Sequence, residues 1–140
     1  MTENFKIIGS FIKDMSCETP DVPTYISVRD KISKYQLNID INSKAVKDGI
    51  IEVNIIIKFT DKEEVIKKSH FEITYTAIVK VDEKISDKKE MEKIILCDVP
   101  NKIYPDLERI FINLLSDSGY PGIKLEKKID FTELYKQRSN

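Results

Sequence analysis

One amphipathic segment, from residue 100 to residue 121, constrains the fold of this chain more than any other stretch. At about 100° of rotation per helical residue, its apolar side chains fall within an arc of roughly 140°. These residues are Ile103, Tyr104, Leu107, Ile110, Phe111, Leu114 and Leu115. Pro105 is compatible with a first helical turn, and Gly119 suits the turn that closes a helix. The pattern therefore predicts a long helix that packs one face onto a flat partner.

Four segments earlier in the chain are predicted to be the strands of that flat partner. They are residues 35–41, 51–59, 71–81 and 91–99. The first three alternate apolar and polar residues with the period of two that is typical of a half-buried strand. Polar turns at 42–49 and 61–64 separate them. The predicted fold class is therefore α+β: a four-stranded antiparallel sheet, a long C-terminal amphipathic helix and a short final helix that begins after Asp130.

The N-terminal part of the chain is predicted to be irregular. Residues 1–5 form a loose terminus, and residues 6–23 form an extended surface arm, in which Pro20 and Pro23 exclude a long regular element. Residues 24–34 are also predicted to be irregular. The stretch 123–128, before the final helix, is predicted to be extended.

Length and charge limit the classes of protein. The chain has 140 residues, enough for one domain, 1–140, with a sizeable core. Its net charge of -1 and 34% of charged residues provide no field for a nucleic acid or a membrane surface. No stretch approaches the roughly 20 apolar residues that span a bilayer, so we expect no membrane insertion. The first residues lack the apolar core of a secretion signal, and the expected compartment is the cytoplasm.

Apolar residues on the second face of the predicted sheet indicate assembly. They lie at positions of opposite parity to the main stripes, at Ile50, Ile56, Ile78, Ile94 and Leu96. Burying an apolar side chain is worth about 1.5–3 kcal/mol, so a second copy of the chain is expected to cover them. We therefore predict a homo-oligomer.

Residue types that carry catalysis or bind metals are sparse. His70 is the only histidine, and Cys17 and Cys97 are far apart in sequence, so neither a metal site nor a nucleophile with its base is predicted. The four glycines form no phosphate-binding loop. We expect two reduced thiols, buried or half-buried, with no cofactor and no enzymatic activity.

The predicted arm carries more apolar side chains than a surface connector requires. They are Phe5, Ile7, Ile8, Phe11, Ile12, Met15 and Cys17. Two interpretations remain open: the residues pack against the sheet, or part of the strip borders a groove that accepts other chains.

Three blocks of sequence resemble the SecB family of bacterial protein-export chaperones. In FIKDMSCETPDVP, the residues Lys13, Asp14, Ser16, Glu18, Pro20 and Pro23 look like the opening segment of that family. The blocks VPNKIYPDLERIFINLLSDSGYP and IKLEKKIDFTELY resemble its long helix, proline-bearing turn and final helix. Between them, IIEVNIIIKFT and HFEITYTAIV stand where the family has its central hairpin. The resemblance extends over residues 5–136.

The resemblance implies a homotetramer, a dimer of dimers in which helices lie between two sheets formed across subunits. Such a chaperone binds unfolded preproteins without ATP and passes them to the SecA motor. The residues expected to bind these clients are Phe11, Met15, Cys17 and Tyr25.

By position, the resemblance implies roles for two further groups of residues. Asp14, Glu18 and Glu72 match acidic residues that SecB proteins offer to a basic, zinc-containing tail of SecA. Phe71, Ile73 and Tyr75 match part of the subunit-assembly region. An alternative for Asp14 and Glu18 is that they only satisfy local turn amides.

Other functions remain as alternatives. A SecB-like chaperone can be dedicated to one partner, such as an antitoxin. The chain can also be a non-catalytic ligand-binding or scaffold module on the same fold. An enzyme would require that changing His70 or either cysteine abolish a measured turnover.

Overall fold

The computed structural model describes residues 4–61, 68–123, 125 and 129–139 of the chain. The strands are β1 (Phe5–Glu18), β2 (Gln36–Ala45), β3 (Ile50–Thr60) and β4 (His70–Val81), and the helices are α1 (Val22–Lys31), α2 (Lys88–Lys93), α3 (Val99–Asp117) and α4 (Phe131–Ser139). The predictions for residues 1–3, and most of those for the turn at 61–64 and the stretch 123–128, lie outside the described residues.

All four strands form one antiparallel sheet in the order β1-β4-β3-β2. The predicted α+β class, with a long helix and a short final helix after the sheet, is confirmed. β3 and β4 cover the alternating segments of the predicted hairpin and pair from Ile50 opposite Lys80 to Phe59 opposite Phe71. These two strands form the centre of the sheet, and their alternate residues carry most of its buried apolar side chains.

The segment 91–99, predicted as a strand, is helical instead. α2 continues through a π-helical turn at Ile94–Asp98 into α3, so residues 88–117 are helical throughout. The apolar run in this turn is too short for its period to separate a strand from a buried helix, which is why the prediction was wrong. Pro100 therefore lies at the start of α3 rather than ending a strand, and Pro105 lies inside α3 rather than in its first turn.

The fourth strand of the sheet is the N-terminal segment that the sequence predicted to be an arm. β1 pairs with β4 along its whole length, and its register shifts twice, at Ile8 and at Lys13. Each shift is a bulge that adds one residue and reverses the side to which the following side chains point. The sequence of β1 consequently shows no sustained period of two, and the strand was missed.

The segment 24–34, predicted to be irregular, is also regular. It forms most of α1 and a 3₁₀ turn at Ile32–Lys34. The side chain of Asp21 caps α1 by accepting a hydrogen bond from the Thr24 amide at 2.8 Å, and Val28 buries the inner side of the helix. An acidic N-cap of this kind supplies one of the partners that the first amides of a helix lack.

The core lies between α3 and one face of the sheet, which we call the covered face. The buried residues of α3 are Val99, Pro100, Ile103, Tyr104, Leu107, Phe111 and Leu115. Phe111 meets Phe59 of β3 edge to face, with ring centroids 5.2 Å apart. Ile110 and Leu114 lie half-buried at the margin, so the predicted helix and its stripe are confirmed.

The opposite face of the sheet, which we call the open face, carries fewer apolar residues than predicted. Ile50, Ile56 and Ile78 lie on it and are partly exposed. Ile94 is buried within the chain itself, and Leu96 lies in the π-helical turn rather than in a strand. Only three of the five residues used to predict an oligomer therefore occupy the expected face.

Candidate functional site

β1 is an edge strand whose two sides differ in chemistry. The register with β4 places Ile12, Met15 and Cys17 on the covered face, because they lie opposite Tyr75, Ile73 and Phe71. The same register places Phe11, Asp14, Ser16 and Glu18 on the open face. The bulge at Lys13 is responsible, since Ile12 and Asp14 would share a side in an unbroken strand.

The residues predicted to bind clients divide between these two sides. Phe11 is on the open face, whereas Met15 and Cys17 are on the covered face, and all three are exposed. The Cys17 thiol lies 3.1 Å from the Ser118 hydroxyl, and Tyr25 of α1 donates a hydrogen bond to the Gly119 carbonyl at 2.7 Å. The structure thus brings Cys17 and Tyr25 to the C-terminal end of α3, with Met15 two residues away on the same side.

Tyr25 is held in a close-fitting contact at this end of α3. Its ring stacks on Tyr120, with centroids 5.3 Å apart. Gly119 has a φ of +99°, and a Cβ at this position would lie 2.6 Å from Cε1 of Tyr25. A glycine is required both by the left-handed backbone and by the approach of the ring.

A buried hydroxyl cluster extends this contact towards the sheet. Ser69 is fully buried, and its Oγ lies 3.1 Å from the Tyr120 hydroxyl and 2.6 Å from the Thr19 hydroxyl. The Ser69 amide donates to the Tyr35 hydroxyl at 3.0 Å. Burial raises the pKa of Tyr35 above its ordinary value. The cluster fixes the ends of β1 and α3 to one another.

The sequence analysis did not single out two exposed apolar residues of α1. These residues are Val22 and Ile26, which are 70% and 50% exposed, and they add to the strip of the arm, where Ile12 is 42% exposed. Val22 and Ile26 are four residues apart and share the outer side of their helix. The capping residue Asp21 before this apolar pair, with Pro23 in the first turn, was the signal that could have revealed the helix.

The three acidic residues matched to SecA contact lie together on the open face. Ser16 is opposite Glu72, with Asp14 and Glu18 two residues to either side of Ser16 in β1. Such diagonal neighbours are about 7–8 Å apart in an antiparallel pair. Asp14 and Glu18 belong to a paired strand rather than to a turn.

Basic groups and a histidine border this acidic group. Lys58 of β3 lies 3.5 Å from a carboxylate oxygen of Glu72. His70 is opposite Glu18 and is exposed. Carboxylates in this setting suit a cationic partner in a manner that depends on salt.

The residues matched to subunit assembly lie within the protein core. Phe71, Ile73 and Tyr75 occupy alternate positions of β4 on the covered face and are buried. Phe71 meets Tyr120 edge to face, with centroids 5.9 Å apart. Any effect of these residues on assembly is therefore indirect and depends on how they pack in the core.

A chain of polar side chains that the sequence analysis did not identify crosses the open face. Lys13 of β1 reaches over β4 to a carboxylate oxygen of Glu52 at 2.7 Å. The side-chain amide of Asn54 donates a hydrogen bond to the same oxygen at 2.9 Å and another to the side-chain oxygen of Asn42 of β2 at 2.8 Å. Thr76 of β4 donates to the Asn54 carbonyl oxygen at 2.6 Å. All four strands contribute to this chain, which we call the polar chain.

A depression with a volume of about 550 Å³ lies between α3 and the start of α4. Tyr104, Arg109, Ile112 and Phe131 are among its lining residues. The Tyr104 hydroxyl is buried without a hydrogen-bond partner among the described residues. Burial, together with the charge of Glu108, raises the pKa of Tyr104 to about 12.

The side chains that could carry other chemistry are dispersed. Among the described residues, no cluster of three or more histidine, cysteine, aspartate or glutamate residues could hold a metal ion. Both cysteines are free, but Cys17 is exposed rather than buried or half-buried, and only Cys97 is buried. Over the same part of the chain, no helix is long and apolar enough to cross a membrane.

An edge strand that exposes both apolar side chains and a group of carboxylates is typical of a module that binds other proteins. Comparisons with known proteins identify which module it is. The model of the family described as preprotein translocase subunit SecB matches residues 1–140. The chain therefore belongs to the SecB family of protein-export chaperones.

Individual relatives agree with this assignment. A SecB relative of Pelagibacter ubique is 84% identical over 140 residues, which is the whole of both chains. The protein-export protein SecB of Methylocella silvestris is 26% identical over 128 residues, covering 91% of this chain and 78% of that protein. These matches extend over the sheet as well as the helices.

A solved structure supports the fold independently. A SecB-like chaperone of Mycobacterium tuberculosis, in complex with a peptide from the HigA1 antitoxin, aligns with a TM-score of 0.67 at 13% identity. The alignment covers 89% of this chain and 91% of that one. At this identity, the likeness shows the fold alone.

Proposed function

We propose that the chain is an ATP-independent holdase that binds unfolded preproteins in the cytoplasm and delivers them to SecA. The exposure of apolar side chains on β1 and α1 is the observation that carries this proposal. Phe11, Met15, Val22 and Ile26 are each 45–70% exposed, although the chain has a well-filled core in which to bury such groups. Unfolded chains expose apolar segments that native proteins hide, so a surface of this kind selects the unfolded state.

The proposal is tested by suppression of aggregation. A chemically unfolded precursor of a secreted protein is diluted from denaturant with and without the purified chain, and light scattering is followed. The chain is expected to keep the unfolded precursor soluble and to leave the same protein unbound in its native form. Unchanged aggregation across a range of chain concentrations would contradict the proposal.

A pair of substitutions tests whether the exposed apolar residues carry the binding. Met15→Gln combined with Ile26→Gln is expected to weaken suppression about ten-fold or more, because half-burying two such side chains is worth about 1.5–3 kcal/mol. Val46→Gln is the control, since Val46 is 56% exposed just after the end of β2, the strand at the opposite edge of the sheet from β1. If both variants lost the same fraction of their ability to suppress aggregation, the assignment of client binding to the surface of β1 and α1 would be wrong.

The SecA part of the proposal rests on Asp14, Glu18 and Glu72 on the open face. Asp14→Lys is expected to weaken binding of the basic SecA tail several-fold at about 50 mM salt, with a smaller effect at higher salt. Asp40→Lys makes the same charge change on the same face but outside the acidic group. Equal effects of Asp14→Lys and Asp40→Lys would show that only net charge matters.

We also propose the homotetramer, a dimer of dimers, as the working assembly. The partly exposed Ile50, Ile56 and Ile78 and the exposed apolar strip of β1 support association. Sedimentation of the purified chain tests this, and a stable monomer at micromolar concentration would contradict it.

A chaperone dedicated to one partner is the second candidate, because the structurally similar chaperone of Mycobacterium tuberculosis binds an antitoxin peptide. The same exposed surface could hold a single partner segment. Tight binding of one such peptide, without suppression of aggregation for a panel of unfolded precursors, would favour this candidate over the general holdase.

A further inference from the structure

Lys13 has two carboxylates within its neighbourhood on the open face. Lys13, Asp14 and Glu52 all line one shallow depression of about 640 Å³ in the open face. Asp14 follows Lys13 directly in β1, yet the Lys13 ammonium pairs with Glu52, on a strand that is not adjacent to its own. The choice between these two carboxylates determines how much positive charge stands beside the acidic group of Asp14, Glu18 and Glu72.

The polar chain explains why Glu52 is the preferred partner. Asn54 is only 5% exposed, and hydrogen bonds with Thr76 and Asn42 fix its side chain. Asn54 in turn donates to the Glu52 carboxylate, so this acceptor is already in place for Lys13. A fixed acceptor requires less ordering of side chains when the ion pair forms. Two hydrogen bonds, the one from Lys13 with the larger effect and the one from Asn54 with the smaller, lower the pKa of Glu52 below its ordinary value.

We propose that Glu52 is a positioning residue for the acidic surface. By holding the Lys13 ammonium over β4, Glu52 keeps it away from Asp14 and leaves the acidic group to a cationic partner. The inference rests on the proposed docking of a basic SecA segment on the open face. In this proposal Glu52 contributes to the docking site although it touches neither the partner nor the acidic group.

The experiment uses a synthetic octalysine peptide as the cationic probe and isotope-labelled full-length chain for NMR titration at low salt. Glu52→Gln is expected to weaken binding about two- to five-fold, because the released Lys13 pairs with Asp14 and partly neutralises the surface. Amide shifts of Asp14, Glu18 and Glu72 report where the peptide binds. The same substitution also raises the net charge by one, so a matched control is needed.

Asp40→Asn is that control, because Asp40 is exposed on the same face in β2 and its substitution changes net charge equally. It is expected to change binding less than half as much as Glu52→Gln. In a Lys13→Met background, the effect of Glu52→Gln is expected to fall to that of Asp40→Asn, since no ammonium remains to be released and only the change in net charge is left. Thermal unfolding of each variant separates this outcome from loss of the fold.

Three results would overturn the inference: equal effects of Asp40→Asn and Glu52→Gln, an undiminished effect of Glu52→Gln in the Lys13→Met background, or no binding of octalysine to the unsubstituted chain. A different result bears on the proposed function alone. If octalysine shows the expected coupling but the SecA tail does not bind, delivery to SecA fails while the role of Glu52 stands.

Discussion

Substitution of Gly119 by alanine is expected to displace Tyr25 and loosen α1. The Cβ of an alanine would lie 2.6 Å from Cε1 of Tyr25, closer than two carbon atoms can approach, so the ring must move. Its movement gives up the hydrogen bond to the Gly119 carbonyl and the stacking on Tyr120. α1 carries two of the exposed apolar residues, Val22 and Ile26, so the placement of that surface depends on this contact.

Three contributions set the expected loss of stability. A non-glycine residue in the left-handed region costs about 1–2 kcal/mol. The lost hydrogen bond contributes about 0.5–1.5 kcal/mol, and the lost aromatic stacking a similar amount. The free energy of unfolding should therefore fall by about 2–5 kcal/mol, which is a large part of the stability of a domain of this size.

Gly122→Ala is a control that isolates the contact with Tyr25. Gly122 also has a left-handed backbone, with φ of +83°, but a Cβ there would have no atom within 4 Å. Its substitution should cost only the backbone strain, about 1–2 kcal/mol. The difference between the two variants measures the contribution of Tyr25.

Urea unfolding followed by circular dichroism gives both free energies, and hydrogen exchange of peptides from α1 reports its local opening. Exchange of α1 should be faster in Gly119→Ala than in Gly122→Ala. Tyr25→Phe, which removes only the hydrogen bond, should cost about 1 kcal/mol. Equal losses in the two alanine variants, with unchanged exchange of α1, would refute the reasoning.

Three further substitutions test the core and the polar chain. Phe111→Ala, which empties a fully buried position against Phe59, should cost about 3–5 kcal/mol in urea unfolding. Thr76→Val leaves the Asn54 oxygen without its donor and should cost about 1–3 kcal/mol, so a near-neutral result would count against the polar chain. Burial raises the pKa of Tyr104 to about 12, above its value of about 10 in the unfolded chain. The folded protein should therefore lose stability as the pH rises from about 10 to about 12. Tyr104→Phe should reduce this loss when the free energy of unfolding is measured against pH.

The centre of the fold could be predicted from the sequence because its periods are uninterrupted. β3 and β4 alternate over ten or more residues, and the stripe of α3 repeats at helical spacing. Their partners are each other, so local pattern and tertiary packing agree. The α+β class followed from these three elements alone.

The margins of the fold could not be predicted because competing signals there are short or broken. The apolar run at 94–97 fits a strand or a buried helix equally well, and only its packing within a continuous helix decides between them. β1 is interrupted by bulges at Ile8 and Lys13. The position of a bulge depends on how β1 pairs with β4, and the sequence of β1 alone carries no information about that pairing.

The candidate site was predictable in composition but not in arrangement. Asp14, Ser16 and Glu18 alternate within the second half of β1, so their common side follows from the sequence once a strand is assumed. The separation of Phe11 from Met15 does not follow, because it depends on the bulge at Lys13 between them. The role of Glu52 was equally hidden, since its partner Lys13 lies on a strand two positions away in the sheet.

One inserted residue thus decides which side of the edge strand the carboxylates of its second half occupy. Before the bulge at Lys13, even-numbered Ile12 faces the covered side, and after it odd-numbered Met15 does so, which leaves Asp14 on the open face. In an unbroken strand Ile12 and Asp14 would share a side, and the carboxylates of β1 would lie on the covered face. The inserted residue is itself the cation that Glu52 binds. The bulge therefore directs Met15 and Cys17 to the covered face and Asp14 and Glu18 to the open face, which also carries Phe11. It also supplies the charge that the polar chain must restrain, so the two proposed binding surfaces depend on the same feature of β1.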